Sequence, residues 1–382
     1  MNNNLRMERD SPLPLYYQLK EQIRQKIESG QWKPGAPIPS EDNLCRNYGV
    51  SRGTVRQAIS VLENEGLLVR RHGYGTYVTG DMERSQKVKV RTKTIGLIVP
   101  YLRDSYTVGI LSGVSDVAHK AGYSVVFTNS GNLLDRQRKE IAKLLANGVE
   151  GMVIFPVDRS VGDRTFRQLK AEHYFVLVDR YLKDLETDYV VSDNLRGGYE
   201  ATRYLIELGH KRIGFIVSPL DGSSATEHRY NGYRQALQES NIPLDESLVK
   251  IITTKASTSP KKIFRQAYTV IHYDLEKIES FLARKDRPTA IFTVNDLIAL
   301  DTLKVAKKLR LRVPEDLSLV GFDNIDIVSH LEVPLTTVHQ AKYEMGAEAA
   351  KILIEKIEKK DNTLKKVVLP TQLVIRKSCA KL

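Results

Sequence analysis

A glycine break between two short amphipathic runs, followed at once by a hairpin with two glycines at its tip, fixes most of what the first quarter of this chain can fold into. Ser40 opens the first run as an N-cap, with Glu41 and Asp42 in its positive first turn and Leu44 and Tyr48 four apart on one face. Gly49 ends that run. Ser51 then caps a second one, where Val55, Ile59 and Leu62 form an apolar stripe and Arg52, Thr54, Arg56 and Gln57 gather near the N-terminal end. Past Gly66, LLVRRHGYGTYV reads as two short strands around His72-Gly73-Tyr74-Gly75, with Arg70 and Arg71 on the approach. This is the order of a winged helix-turn-helix, in which the second helix meets base edges and phosphates and the wing reaches the neighbouring backbone or minor groove. The plainer alternative is that these Arg and Ser residues only solvate a small helical domain.

Charge agrees with the first reading. The chain carries 58 Lys plus Arg against 46 Asp plus Glu, a formal +12, and residues 1–93 hold 16 basic and 10 acidic residues, half of that excess in about a quarter of the length. Such a surface releases counterions from a phosphate backbone. A chain of 382 residues exceeds what one core usually supports, so several folding units are expected. The composition places a DNA-binding part at 1–79, a polar linker at 80–93 (GDMERSQKVKVRTK, without apolar periodicity) and a large second part at 94–382. The start, MNNNLRMERD, is polar and no run approaches the roughly 18 apolar residues of a membrane span, so a cytoplasmic protein with no membrane contact is expected. Cys45 and Cys379 have no metal spacing and read as free thiols.

In the second part, β-rich runs (TIGLIVP, YSVVFTN, GMVIFPV, YFVLVD) alternate with helical stretches, the signature of parallel α/β sheets with helices on both faces. The pattern occurs twice, because KTIGLIV at Lys93 returns as KRIGFIV at Lys211. Two similar lobes imply a cleft lined by strand C-terminal ends. No GxGxxG, phosphate-loop, HExxH or GxSxG pattern occurs, so no catalytic residue, metal or cofactor is expected and an enzyme is disfavoured. The strand ends carry short polar residues instead: Asp104, Asp179-Arg180, Asp193-Asn194, Arg229, Asn295-Asp296 and Asp323. Carboxylates, Asn and a forked Arg suit vicinal sugar hydroxyls, and Tyr106 or Tyr181 could cover an apolar sugar face. Asp and Asn after strands also cap helices, and Asp193 or Asn295 could do only that. Arg229 is read as sitting before the helix in HRYNGYRQAL, where a cation opposes the helix dipole and needs another purpose.

From PLYYQLK through IPSE, YGVSRGTVRQA and the glycine wing, the first part resembles the DNA-binding module of the GntR family. The resemblance implies that Glu41, Ser51, Arg52, Thr54, Arg56, His72 and Gly73 face DNA; Asp42 departs from members with a basic residue there. Through VVSDNLRGGYEATRYLIELGHKRIGFI, TAIFTVNDLIAL and VPEDLSLVGFDNIDI, the second part is similar to the effector domain of the LacI/GalR family, related in fold to periplasmic sugar-binding proteins. That resemblance implies effector contacts at Arg229, Asn295 and Asp323, and at Asp104 and Tyr106 in the first loop, with Arg180 a further cleft cation. Together they imply a homodimeric repressor that reads double-stranded operator DNA and is released by a small sugar, a pentose such as L-arabinose. The alternative effector is a purine or a phosphorylated sugar. Replacing Arg52 or Arg56 by Ala should weaken operator binding by roughly 1–3 kcal/mol per lost bidentate contact while leaving effector binding intact. Fluorescence anisotropy on operator DNA checks this, and equal losses of both activities would mean misfolding.

Overall fold

The computed structural model describes residues 7, 14–71, 74–80, 91–102, 104–157, 160, 162–219, 223–253, 273–360 and 363–382. His72, Gly73 and most of the linker lie outside them.

The N-terminal module holds three helices and a two-stranded wing. Helix α1 (Leu15–Glu28) precedes the two expected helices, α2 (Glu41–Tyr48) and α3 (Arg52–Asn64), and β1 (Leu68–Arg71) pairs antiparallel with β2 (Gly75–Val78). The caps follow the chemistry of the sequence: Ser40 Oγ accepts from Asn43 N, Ser51 Oγ accepts from Thr54 N, and Gly49 closes α2 with φ of 66°, where a side chain would be strained. Leu19, Ile23, Leu44, Val55, Ile59, Leu62, Leu68 and Val78 converge on one core.

The remainder forms two lobes. The first contains β3 (Thr94–Val99), α4 (Ser105–Lys120), β4 (Ser124–Asn129), α5 (Leu134–Ala146), β5 (Gly151–Ile154), α6 (Arg164–Glu172), β6 (Tyr174–Val178) and β7 (Asp188–Ser192). Next come α7 (Asn194–Glu207), β8 (Ile213–Val217), α8 (Ser224–Glu239), β9 (Val249–Ile251), α9 (Leu275–Leu282), β10 (Ala290–Thr293), α10 (Asp296–Lys308), β11 (Ser318–Asp323) and β12 (Thr336–Gln340) of the second lobe. The chain closes with α11 (Lys342–Lys359), β13 (Lys366–Leu369) and β14 (Thr371–Val374).

Among the described residues each lobe's sheet has six strands, in the orders β13-β7-β6-β5-β3-β4 and β14-β12-β11-β10-β8-β9. The first is parallel throughout; in the second, only the β12–β14 pair is antiparallel. Alternation along the strands sorts their apolar side chains onto two faces. Leu97, Val99, Val153, Val176 and Val178 join the large core cluster, whereas Ile98, Met152, Ile154, Phe175 and Leu177 join a second one under α5 and α6.

The lobes are not consecutive stretches of chain. Strand β13 pairs with β7 and β14 with β12, so among the described residues the chain passes between the lobes three times: after β7, after β12 and between β13 and β14. Matching helix crossings brace the lobes. A Cβ on Gly113 of α4 would meet Tyr343 O of α11 at 2.0 Å, and one on Gly232 of α8 would meet Leu195 O of α7 at 2.2 Å. Neither neighbour is a movable side-chain tip, so Gly113→Ala or Gly232→Ala should destabilise its lobe by about 1–3 kcal/mol through forced separation of the helices. Differential scanning calorimetry should show a midpoint several degrees lower, and an unchanged midpoint would refute the close-approach argument.

Candidate functional site

Two polar surfaces stand out. On the N-terminal module, Arg52, Arg56 and Gln57 are exposed on the first turns of α3, with Thr54 half-buried between them. The arginines are held by acids of α2: Arg52 Nη2 lies 2.7 Å from Asp42 Oδ1, Arg56 Nε donates to Glu41 Oε2 at 2.8 Å, and Arg70 of the wing donates to Glu41 Oε1 at 3.1 Å. Glu41 thus joins α3 to the wing, and Asp42, the departure noted in the sequence, clamps Arg52. The Ser51 and Thr54 hydroxyls are 2.9 Å apart at the α3 N-terminus. Exposed pairs of this kind contribute about 0–1 kcal/mol each, so a phosphate or base edge can displace them while they keep the guanidinium groups aimed outward in register.

The second surface is the junction of the two lobes, where Asp104, Tyr106, Arg180, Arg229 and Asp323 come together. Tyr106 is buried and its hydroxyl donates to Asp179 Oδ1, with Gln340 Oε1 3.3 Å away. Gln340 Nε2 donates to Asp323 Oδ1 at 2.7 Å, and Asp323 Oδ1 lies 3.6 Å from Arg229 Nη1. A polar chain therefore runs from Asp179 in the first lobe to Arg229 in the second. Arg229 is 6% exposed; its Nε donates to Asn194 Oδ1 at 2.8 Å, its Nη1 donates to Val294 O at 2.6 Å, and its plane lies 3.8 Å over the Phe322 ring. Arg180 donates to Asp179 Oδ2 at 3.1 Å and sits over Phe155. Asp179, just after β6, and Asp323, the last residue of β11, have φ of 68° and 112°, conformations that cost about 1–3 kcal/mol each in a non-glycine residue and concentrate where function requires a fixed side-chain direction.

Several expected residues have a capping role as well. Asn295 Oδ1 accepts from Ile298 N at 2.9 Å, Asp104 Oδ1 accepts from Tyr106 N and Thr107 N, and Asp193 Oδ1 accepts from Arg196 N. Arg229 does not precede its helix as expected. Ser223 caps α8, which starts at Ser224, so Arg229 lies in its second turn facing inward. Tyr181, proposed as a sugar-covering ring, is stacked on Tyr189 at 4.7 Å. Gln340, Phe322 and Phe155 were not legible as site residues, since apolar runs read as core and a lone Gln at a strand end gives no pattern. Among the described residues no His, Cys, Asp or Glu grouping could hold a metal ion, and no helix is long and apolar enough to cross a membrane. Both cysteines are free, and burial pushes the Cys379 thiol up to about 11.

Burial sets the electrostatics. It raises the Asp323 carboxyl well above the usual range; Arg229 opposes the shift, while Asp296, Asp179 and Asp104 add to it. Asp296, fully buried where Gly321 leaves room for it, accepts from Thr337 Oγ1 at 2.6 Å and Ile325 N at 2.9 Å, and burial pushes its pKa up to about 7. A raised folded-state pKa contributes stability below the unfolded value of about 3.9 that is lost as pH rises through the folded value. Asp296→Asn should therefore gain in thermal midpoint relative to the parent as pH rises from about 4 to about 7, and hold a constant offset above that. Parallel midpoint curves through this window would contradict the assignment.

Comparison with known proteins identifies both parts of the chain. The model of bacterial regulatory proteins of the gntR family matches residues 15–78, and that of the periplasmic binding protein-like domain matches residues 202–379. An arabinose metabolism transcriptional repressor of Geobacillus stearothermophilus is 32% identical over 381 residues, covering 97% of this chain and 99% of its own. A repressor of the same name from Halalkalibacterium halodurans is 31% identical over 377 residues, 96% of each chain. Among solved structures, a LacI family transcriptional regulator from Enterococcus faecium with bound ribose shares 27% identity at a TM-score of 0.62, over 76% of this chain and 99% of that one. With its arginine-bearing α3 and wing joined to two sheet-based lobes, this chain belongs to the gntR family of bacterial regulatory proteins, among those members that carry a periplasmic-binding-protein-like part, and is a DNA-binding transcriptional regulator.

Proposed function

We propose that this regulator is a cytoplasmic repressor of carbohydrate-utilisation genes, and that a small sugar, a pentose such as L-arabinose, releases it from its operator. The observation that carries this reading is the polar chain from Asp179 through Tyr106, Gln340 and Asp323 to Arg229. Carboxylates accept from sugar hydroxyls, the guanidinium donates to them, and Phe155 and Phe322 already lie against Arg180 and Arg229 as apolar walls. The full-length relatives named for arabinose metabolism and the ribose-bound neighbour support a sugar as the ligand.

On the DNA side, Glu41, Ser51, Arg52, Thr54, Arg56 and Gln57, with the wing residues His72 and Gly73, form the proposed reading face. One such module presents a single short helix, so a homodimer on a symmetric operator is proposed, its two recognition helices about one DNA turn apart. Exposed Val108 on α4 and Val126 and Phe127 on the edge strand β4 provide apolar surface for pairing of the first lobes. Sugar held between the lobes would favour a dimer geometry that spaces the recognition helices poorly for the operator.

The test is a gel shift with the DNA upstream of the protein's own gene, titrated with pentoses, hexoses, sugar phosphates and purines. Release by L-arabinose or another pentose is expected. Asp323→Asn should lower sugar affinity by about 0.5–3 kcal/mol, the range spanned by hydrogen bonds to neutral and to charged groups, while sugar-free operator binding persists. Specific DNA binding that no sugar alters, or release by a phosphate ester or purine alone, would overturn the sugar assignment.

A further inference from the structure

The DNA reader does not hang from its linker alone; its first helix docks on the first lobe. Tyr16 Oη donates to Ala142 O in α5 at 3.0 Å, and Leu145 and Ala146 at the end of α5 pack against the reader core. Tyr17, 5% exposed, donates from Oη to Glu172 Oε2 at 2.7 Å and lies 3.2 Å from His173 Nε2. Each side of this contact leads to a functional surface. Within the reader, Lys20 and Arg24 of α1 reach Glu65 at 3.3 and 2.7 Å, and Glu65 is the C-cap of α3, the helix that carries Arg52 and Arg56.

Within the lobe, Glu172 ends α6 and His173 leads directly into β6, whose far end is followed by Asp179. Strand β6 is hydrogen-bonded on both sides, to β5 and β7. A strand so held cannot bend by itself, so a displacement at Asp179 is carried roughly 20 Å to Glu172 and His173. The apolar contacts hold the reader against the lobe. The charge-assisted hydrogen bond from Tyr17 to the Glu172 carboxylate is directional and so fixes its orientation.

We propose that Tyr17 is the positioning residue through which the state of the cleft reaches the recognition helix, by way of Glu172, His173 and β6; this rests on the effector-released repressor reading above. It gives the chain a coupling path that does not depend on residues 80–93, whose sequence, GDMERSQKVKVRTK, contains no alanine.

The experiment compares full-length wild type, Tyr17→Phe, Glu172→Ala and Glu172→Gln. For each, operator affinity is measured with and without L-arabinose by anisotropy, and arabinose affinity by calorimetry. Effector couplings of this kind amount to roughly 5- to 150-fold in operator affinity. Tyr17→Phe and Glu172→Ala should bring that ratio to within about twofold of one while sugar affinity stays within about twofold of wild type, and Glu172→Gln, which keeps an acceptor for the hydroxyl, should restore most of the ratio. A wild-type ratio that survives in Tyr17→Phe and Glu172→Ala overturns the proposal and leaves the repressor reading standing. A wild type that binds operator but ignores the sugar overturns the effector reading instead. The docking is then decided by 15N relaxation of the full chain: a reader that tumbles with the first lobe in wild type upholds it, and a wild-type reader that tumbles separately removes it.

Discussion

Arg229 carries a charge that burial cannot remove, because a guanidinium does not lose its proton at any pH a folded protein experiences, and the junction of the lobes is organised around that requirement. An unpaired buried cation would be strongly destabilising, so it is surrounded by Asn194 Oδ1, Val294 O, the Asp323 carboxylate and the face of Phe322. Asn194 is the first residue of α7, just after the chain leaves β7, and Gln340, which holds Asp323, is the last residue of β12 before the chain returns to the first lobe. The partners of the buried charge thus sit at two of the passages between the lobes. On the proposed effector reading, a molecule that engages Arg229 and Asp323 would act on segments through which the chain passes between the lobes, so a small ligand could have a global effect without a long relay inside the second lobe.

The reader solves the opposite problem. Its arginines are exposed and need orientation more than compensation. Glu41 and Asp42 provide it at small energetic cost, and phosphates can replace them. On the proposed reading face, the positive balance of residues 1–93 would supply affinity that depends on salt and not on sequence, and α3 and the wing would supply the discrimination.

How much of this was legible in the sequence depends on how local the signal is. Ser40, Gly49 and Ser51 act on their own neighbours, so α2, α3 and the wing could be placed from residue spacing, and the alternation of apolar strands with helical runs gave the parallel sheets. The exchange of β13 and β14 between lobes was not legible, since β13 pairs with β7, more than 170 residues earlier, and no local pattern encodes a partner so distant. At the junction, charged residues at strand ends were conspicuous, whereas Gln340 and Phe322 have ordinary identities and acquire a role only through position. The misplaced start of α8 has the same origin: Ser223 is both a loop-type residue and a good N-cap, and tertiary packing of Arg229 decides between them.

Thermodynamic reciprocity tests the central claim, that occupancy of the junction and operator binding are two readings of one equilibrium. Calorimetric titration of L-arabinose into the full-length protein, alone and saturated with an operator duplex, should show sugar affinity falling on the operator complex by the same factor by which the sugar weakens operator affinity. An arabinose affinity that is identical with and without operator would contradict the account, because a ligand that does not distinguish the two states cannot release the DNA.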